Sequence, residues 1–171
     1  MNCMGSNTYK RNDTRIVLDA IRGIVHALRE SSRLAQGRVG LSGAQLFVLQ
    51  RLAEAPAQSV NELAARTHTH QSSVSVVVAR LVDGGLVRRA PAATDRRRVE
   101  LTLTAKGRRA ATGSPDVAQA RLVEAVAALV PARRRQLAAL LAEVAHTLTG
   151  SQRAPAMFFE ERGRARAMAR A

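Results

Sequence analysis

Two helix-start signals of the same kind lie close together in the first half of the chain. Ser42 is followed by Gln45, and Ser59 by Glu62, in the S-x-x-E/Q pattern. In such a capping box the serine hydroxyl accepts a backbone N–H at the start of a helix, and the Gln or Glu side chain accepts the serine's own N–H. Pro56 stands between the two boxes and ends the first helix. The pattern therefore predicts a hairpin of two short helices.

The segment after this hairpin predicts one more helix and two strands. Apolar residues at helical spacing favour a helix from His70 to Asp83, which Gly84-Gly85 ends. Short alternating runs at 86–89 and 99–103 are typical of two antiparallel strands joined by a charged loop. Helix, turn, helix and basic hairpin together form a winged helix-turn-helix, in which the second helix of the pair enters the DNA major groove.

Amphipathic helices flank this unit on both sides. The first spans about 14–34, and Thr104, Ser114-Pro115 and Pro131 are start signals for later helices. These helices carry more apolar surface than one small domain needs, which predicts an intertwined dimer. The alternative is that the apolar residues of the last helix pack within one chain instead of between two chains. These residues are Leu137, Leu140, Leu141 and Val144.

The predicted fold is mainly α with a small β-hairpin wing (α+β), in which a winged helix-turn-helix core is flanked by N- and C-terminal dimerisation helices. The segments are a flexible tail at 1–13, a dimerisation helix at 14–40, the DNA-binding core at 41–104, C-terminal dimerisation helices at 105–150 and a basic tail at 151–171. We expect that last tail to be disordered or to dock on the partner subunit.

The charge of the chain favours a polyanionic partner. The chain has 27 Lys and Arg residues against 13 Asp and Glu residues, a formal net charge of +14. Residues 86–109 concentrate eight Lys or Arg side chains against two acidic residues, Asp95 and Glu100. Such a local excess is the footprint expected of a nucleic-acid-binding surface. The alternative is a solvated basic surface that reflects an arginine-rich coding preference.

Several classes of protein are not expected from this sequence. No segment approaches the roughly 18 apolar residues of a membrane helix, and residues 1–15 lack the apolar stretch of a secretory signal, so we expect a cytoplasmic protein with no membrane partner. The chain has no H-E-x-x-H, P-loop or G-x-S-x-G pattern, so we expect no enzyme, no catalytic residue and no cofactor. Cys3 has no second cysteine for redox sensing, and His68-x-His70 is expected to be a surface turn rather than a metal site.

Several motifs occur in the order typical of one family. They are Glu62-Leu63-Ala64-Ala65-Arg66-Thr67, Ser72-Ser73-Val74-Ser75, Arg80-Leu81, Gly85-Leu86-Val87, Asp95-Arg96-Arg97-Arg98 and Leu101-Thr102-Leu103-Thr104. Over about residues 14–150 the chain resembles the MarR family of bacterial transcription regulators. The resemblance implies a homodimeric repressor that binds a pseudo-palindromic site on double-stranded DNA. It also implies release from DNA by a small, aromatic or phenolic ligand.

The resemblance also implies which residues of the recognition helix contact DNA. These are Gln71, Ser72, Ser73 and Ser75, with Arg80 at a phosphate. Short polar side chains at these positions can approach base edges without blocking entry to the groove. Val76 departs from the family, in which many relatives carry a polar or basic residue, and can contact only a thymine methyl or another apolar surface.

The wing carries the Asp-x-Arg pattern at Asp95 and Arg97. In the family that this chain resembles, the arginine enters the minor groove and the aspartate holds it through a charge-assisted hydrogen bond. An arginine at a hairpin tip suits the strong negative potential of a narrow A·T minor groove. Arg96 and Arg98 are expected to contact phosphates.

No pattern in the sequence names the ligand. The four aromatic residues are Tyr9, Phe47, Phe158 and Phe159, and Phe47 is expected in the core. A second hypothesis is therefore an architectural or constitutive DNA-binding protein with no effector. The arginine-rich tail and the scarcity of aromatic residues for a pocket favour it.

Overall fold

A computed structural model of the chain consists of seven helices and one two-stranded sheet in the part that it describes, residues 5–57, 59–91, 99–114, 117–150 and 158. The helices are α1 (Gly5–Val39), α2 (Gly43–Glu54), α3 (Val60–Arg66), α4 (Gln71–Asp83), α5 (Ala105–Thr112), α6 (Ala118–Ala127) and α7 (Pro131–Thr149), and the strands are β1 (Val87–Pro91) and β2 (Val99–Leu103). The predicted fold class, mainly α with a small β-hairpin, is confirmed.

Side-chain caps start the helices where the sequence predicts them. At α2, Gln45 N–H donates to Ser42 Oγ over 3.2 Å and Ser42 N–H donates to Gln45 Oε1 over 2.9 Å, which completes the capping box. At α3, Ser59 Oγ accepts the N–H of Glu62 over 3.1 Å. These bonds satisfy N–H groups that have no partner within the helix.

The β-hairpin is joined to the helical part of the protein through backbone hydrogen bonds to a third short segment. Strands β1 and β2 are antiparallel, with Val87 opposite Leu103 and Pro91 opposite Val99. Ala57, in the turn between α2 and α3, exchanges two backbone hydrogen bonds with Leu101 of β2, at 3.2 and 2.7 Å. The wing strands are therefore anchored to the turn between α2 and α3.

The core lies between α2, α3, α4 and the hairpin. Its largest fully buried side chains include Phe47, Leu49, Leu63, Val77 and Leu101. Phe47 is in the core as predicted, and the guanidinium of Arg51 lies 5.4 Å from the centre of its ring. Helix α4 is rich in valine, which favours strands, but burial of one valine face outweighs that weak preference.

Two helix starts differ from the sequence-based boundaries. Helix α1 begins at Gly5, before the predicted start near Thr14, and so includes part of the segment predicted as a tail. Helix α6 begins at Ala118, whereas the sequence predicts a start at Ser114-Pro115. The N–H groups at the start of α6 are bonded by side chains of other helices, a contact that no local pattern reveals.

The junction between the recognition helix and α5 is tightly packed. Thr104 Oγ1 donates to the carbonyl of Gly85 over 2.8 Å and accepts the N–H of Gly107 over 3.0 Å. Lys106 Nζ donates to the carbonyl of Gly84 over 3.0 Å. A β-carbon at Gly107 would overlap the carbonyl oxygen of Leu86, so only glycine fits where α5 crosses this turn.

We predict that Gly107→Ala destabilises the protein by about 2–3 kcal/mol, because the methyl group forces backbone atoms apart. Gly23→Ala is the matched control, since a β-carbon there meets no atom within 4 Å. The control is expected to stabilise α1 by about 0.5–1 kcal/mol, the usual gain of alanine over glycine inside a helix. Urea denaturation of both variants measures the two changes. Equal stability of the two variants would contradict the close approach at Gly107.

Candidate nucleic-acid interface

The turn before the recognition helix is held by backbone hydrogen bonds to the end of α3. His68 N–H donates to the carbonyl of Ala65 over 3.2 Å, and Thr69 N–H donates to the carbonyl of Ala64 over 3.0 Å. This pattern closes α3 and leaves His68 with φ of 50°, in the left-handed region that favours glycine. The turn therefore sets the angle between α3 and α4.

Arg66 fixes α3 against the end of α2. Its guanidinium donates to the carbonyls of Ala55, at 2.8 Å, and Pro56, at 3.2 Å, and also to the carbonyl of Arg51. These carbonyls lie at the C-terminal end of α2, where they have no partner within the helix. The sequence shows Arg66 only as part of a motif, because its hydrogen-bond partners lie in the preceding helix and turn.

Most of the predicted recognition residues share one exposed face of α4. Gln71 and Ser72 are exposed, and Ser75 is half-buried. Val76 is 46% exposed on the same face, which places an apolar side chain among polar ones. A face of this kind can present hydroxyl and amide groups to base edges and a valine to a thymine methyl.

Ser73 differs from the other predicted recognition residues. Its side chain is 7% exposed and lies on the buried side of α4, next to Val74 and Val77 in the core. The helical period of 3.6 residues puts Ser73 only about 40° around α4 from the buried Val77, on the side that faces the core. The structure therefore brings Gln71, Ser72 and Ser75 together on the exposed face and leaves Ser73 out.

Basic side chains lie near the C-terminal end of α4 and on the strand that follows it. Arg80 is half-buried near the C-terminal end of α4, where it lines an open cleft together with Lys106 and Arg109 of α5. Arg88 and Arg89 are both exposed on β1, and Arg88 Nε donates to Thr102 Oγ1 over 3.0 Å. The predicted wing residues Asp95, Arg96, Arg97 and Arg98 lie outside the described residues.

A separate cavity of about 460 Å³ lies between α1, α2 and α6. Its lining includes Glu30, Arg38 and His26 of α1, and Arg121 of α6. Arg33 donates a hydrogen bond of 2.8 Å to Glu30, and this bond lowers the pKa of the Glu30 carboxyl below its usual value. The α1 side of the cavity therefore carries both the Glu30 carboxylate, which is paired with Arg33, and the guanidinium of Arg38.

The described residues offer neither a metal cluster nor a membrane helix. No three His, Cys, Asp or Glu side chains among them lie close enough together to hold a metal ion. His68 and His70 are both exposed in the turn before α4. None of the described helices combines the length and the apolar character needed to cross a membrane.

The arrangement of α3, α4, β1 and β2 is that of a winged helix-turn-helix, and one family of known proteins matches this part of the chain. Residues 39–98, which begin at the end of α1 and include α2, α3, α4 and β1, match the model of the MarR family. This segment of the chain is therefore similar to that family, as the sequence motifs predicted. Members of the family are transcriptional regulators and not enzymes. No curated protein matches the chain in sequence.

Two solved structures support the same fold. The MarR/EmrR family transcriptional regulator from Acinetobacter sp. ADP1 is 19% identical, with a TM-score of 0.51 over 85% of this chain and 99% of that one. BpsR from Bordetella bronchiseptica is 24% identical, with a TM-score of 0.50 over 77% of this chain and 91% of that one. The DNA binding of BpsR is regulated by 6-hydroxynicotinic acid.

The different burial of two neighbouring serines gives a direct test of the recognition face. We predict that Ser72→Ala changes the base preference at one position of a bound duplex and weakens binding by about 1 kcal/mol, since an exposed hydroxyl is lost. Ser73→Ala is the matched control, and it is expected to leave base preference unchanged and to lower thermal stability. Anisotropy on duplexes with single-base changes measures both. A change of base preference in Ser73→Ala alone would contradict this orientation of α4.

Proposed function

We propose that the protein is a dimeric transcriptional repressor that binds a pseudo-palindromic operator and is released by a small organic anion. The observation that supports the DNA-binding part best is the exposed face of α4, which carries Gln71, Ser72 and Ser75 and has Arg80 near its end. Phosphate contacts from arginines position such a helix, and its polar side chains read the bases. Arg97, held by Asp95, is proposed to enter the neighbouring minor groove, and Arg96 and Arg98 are proposed to contact phosphates.

The outer helices support a dimer. No residue of α7 is buried in the single chain, and Leu140, Leu141 and Val144 are each about half exposed. Helix α1 likewise exposes Ile16 and Val17 by more than half. Contiguous apolar surface of this kind marks a protein interface, and a two-fold dimer would present two α4 helices to half-sites one DNA turn apart.

We predict that the double variant Leu140→Asp, Val144→Asp gives the mass of a monomer, because two carboxylates on the apolar face of α7 cannot be buried without a partner charge. Ala139→Asp is the matched control, since Ala139 is exposed on the opposite side of the helix. Light scattering gives the mass, and circular dichroism shows that each variant is folded. A double variant that remains a dimer would place the interface elsewhere.

The cavity between α1, α2 and α6 is the proposed effector site. It has both apolar and charged lining residues, with Leu34 and Leu46 beside Arg38 and Arg121. Apolar walls with a few polar groups are typical of sites for small organic ligands. The regulation of BpsR by 6-hydroxynicotinic acid makes that aromatic acid the first probe to use.

The test of DNA recognition begins with selection of duplexes from a random-sequence pool by the full-length protein. We expect a pseudo-palindrome with half-sites about one turn apart, bound roughly 10³-fold more tightly than a shuffled duplex. Arg80→Ala should weaken both duplexes about equally and lower the salt slope by about one, as loss of one phosphate contact does. Arg133→Ala, an exposed change on α7, is the control and should leave the salt slope unchanged.

The alternative function predicts a different result of the same selection. An architectural or constitutive DNA-binding protein would enrich no sequence, and its affinity would fall steeply with salt for every duplex. The high arginine content of the chain favours this second candidate. Absence of an enriched sequence would overturn the repressor proposal.

A further inference from the structure

Two adjacent serines of α1 each bond to the start of a different helix. Ser32 Oγ accepts the N–H of Gly43, the first residue of α2, over 3.0 Å. Ser31 Oγ accepts the N–H of Ala118, the first residue of α6, over 2.9 Å. Helix α2 begins the winged core, and α6 begins the C-terminal helices. Neighbouring hydroxyls on one helix therefore connect the two halves of the protein to α1.

The Ser32 contact is closely packed. A β-carbon at Gly43 would lie 3.2 Å from the β-carbon of Ser32 and 3.3 Å from its hydroxyl oxygen. These distances are tighter than most β-carbon contacts, so glycine lets the start of α2 lie directly on α1. Gly43 itself is buried.

The Ser31 contact lies at the cavity. Ser31 lines the cavity between α1, α2 and α6, whereas Ser32 is not among its lining residues. The α6 side of the lining consists of Val117 and Arg121, with Ser114 just before them. The hydroxyl oxygen of Ser114 is buried and has no hydrogen-bond partner among the described residues. One hydroxyl without a partner among the described residues, the cation of Arg121 and the positive end of α6 thus meet on one wall.

We propose that Ser31 and Ser32 are positioning residues that hold the winged core and the C-terminal helices on α1, and that an organic anion in the cavity acts on the Ser31 contact alone. This inference rests on the proposed function. The carboxylate of such a ligand would be attracted to Arg121 and to the start of α6. It would accept the N–H of Ala118 in place of Ser31, while Ser32 continues to hold α2.

The consequence for DNA binding follows from the spacing of the recognition helices. A dimer binds two half-sites at once only if its two α4 helices are held at the right separation. Non-specific binding depends on charge and tolerates other separations. Loss of a positioning contact therefore lowers the preference for the selected duplex. A general loss of protein stability lowers the affinity for both duplexes alike.

The first test compares Ser31→Ala, Ser32→Ala and Ser31→Thr with the control Thr112→Ala, whose hydroxyl bonds only within α5. We expect the ratio of affinities for selected and shuffled duplexes to fall about threefold to tenfold in Ser31→Ala and Ser32→Ala, the range that one hydrogen bond supplies. Ser31→Thr keeps the hydroxyl and should retain the ratio, as should Thr112→Ala. Unchanged ratios in both alanine variants would overturn the positioning role, and so would equal weakening on both duplexes.

Amide hydrogen exchange separates the two contacts. Exchange at Ala118 should become about tenfold faster in Ser31→Ala and exchange at Gly43 in Ser32→Ala, because each amide loses its own acceptor. Faster exchange at both amides in either single variant would show that the two serines act as one structural unit, which contradicts the proposal.

The ligand test uses 6-hydroxynicotinate. If this acid weakens operator binding by the wild-type protein, the response should be lost in Ser31→Ala and retained in Ser32→Ala. Equal responses in the two variants would overturn the assignment of Ser31. If the wild-type protein does not respond, 6-hydroxynicotinate is not its effector. The affinity ratios of the alanine variants still decide whether the two serines are positioning residues. If no duplex is selected at all, the proposed function itself fails.

Discussion

The backbone N–H groups at helix starts have no partners within their own helix, and the way in which they are satisfied organises this structure. Some caps are local, such as Ser42 for α2 and Thr104 for α5. Others come from another helix, as Ser31 does for α6. Local caps decide where a helix begins, and caps from another helix decide where it lies. The orientation of the DNA-binding core relative to the outer helices therefore depends on a few hydroxyl groups of α1.

The recognition helix combines two requirements on one short segment. Val74, Val77, Val78 and Leu81 fill the core beneath the hairpin, and the opposite face of the helix remains exposed. The turn at His68, the guanidinium of Arg66 and the packing of Gly107 against Leu86 hold both ends of the helix in place. Such anchoring reduces the conformational freedom that binding would otherwise have to remove.

Much of the fold could be predicted from local patterns. The capping box at Ser42, the end of α4 at Gly84 and the start of α7 at Pro131 all rest on interactions within a few residues, and the structure confirms them. The start of α6 was not predicted, because its N–H groups bond to Ser31, which is distant in sequence. In the candidate site, the burial of Ser73 required the orientation of α4 against the core, which its position in a motif does not reveal.

The sequence by itself determined the order of helices and strands and the similarity of residues 39–98 to the MarR family. Capping, turn chemistry and hydrophobic period are local properties, so they can be read along the chain. Only the tertiary structure decided that Arg66 bonds to the end of α2, that a cavity lies between α1, α2 and α6, and that Ser31 and Ser32 serve two different helices. These features depend on groups far apart in sequence, whose proximity results from packing of the core.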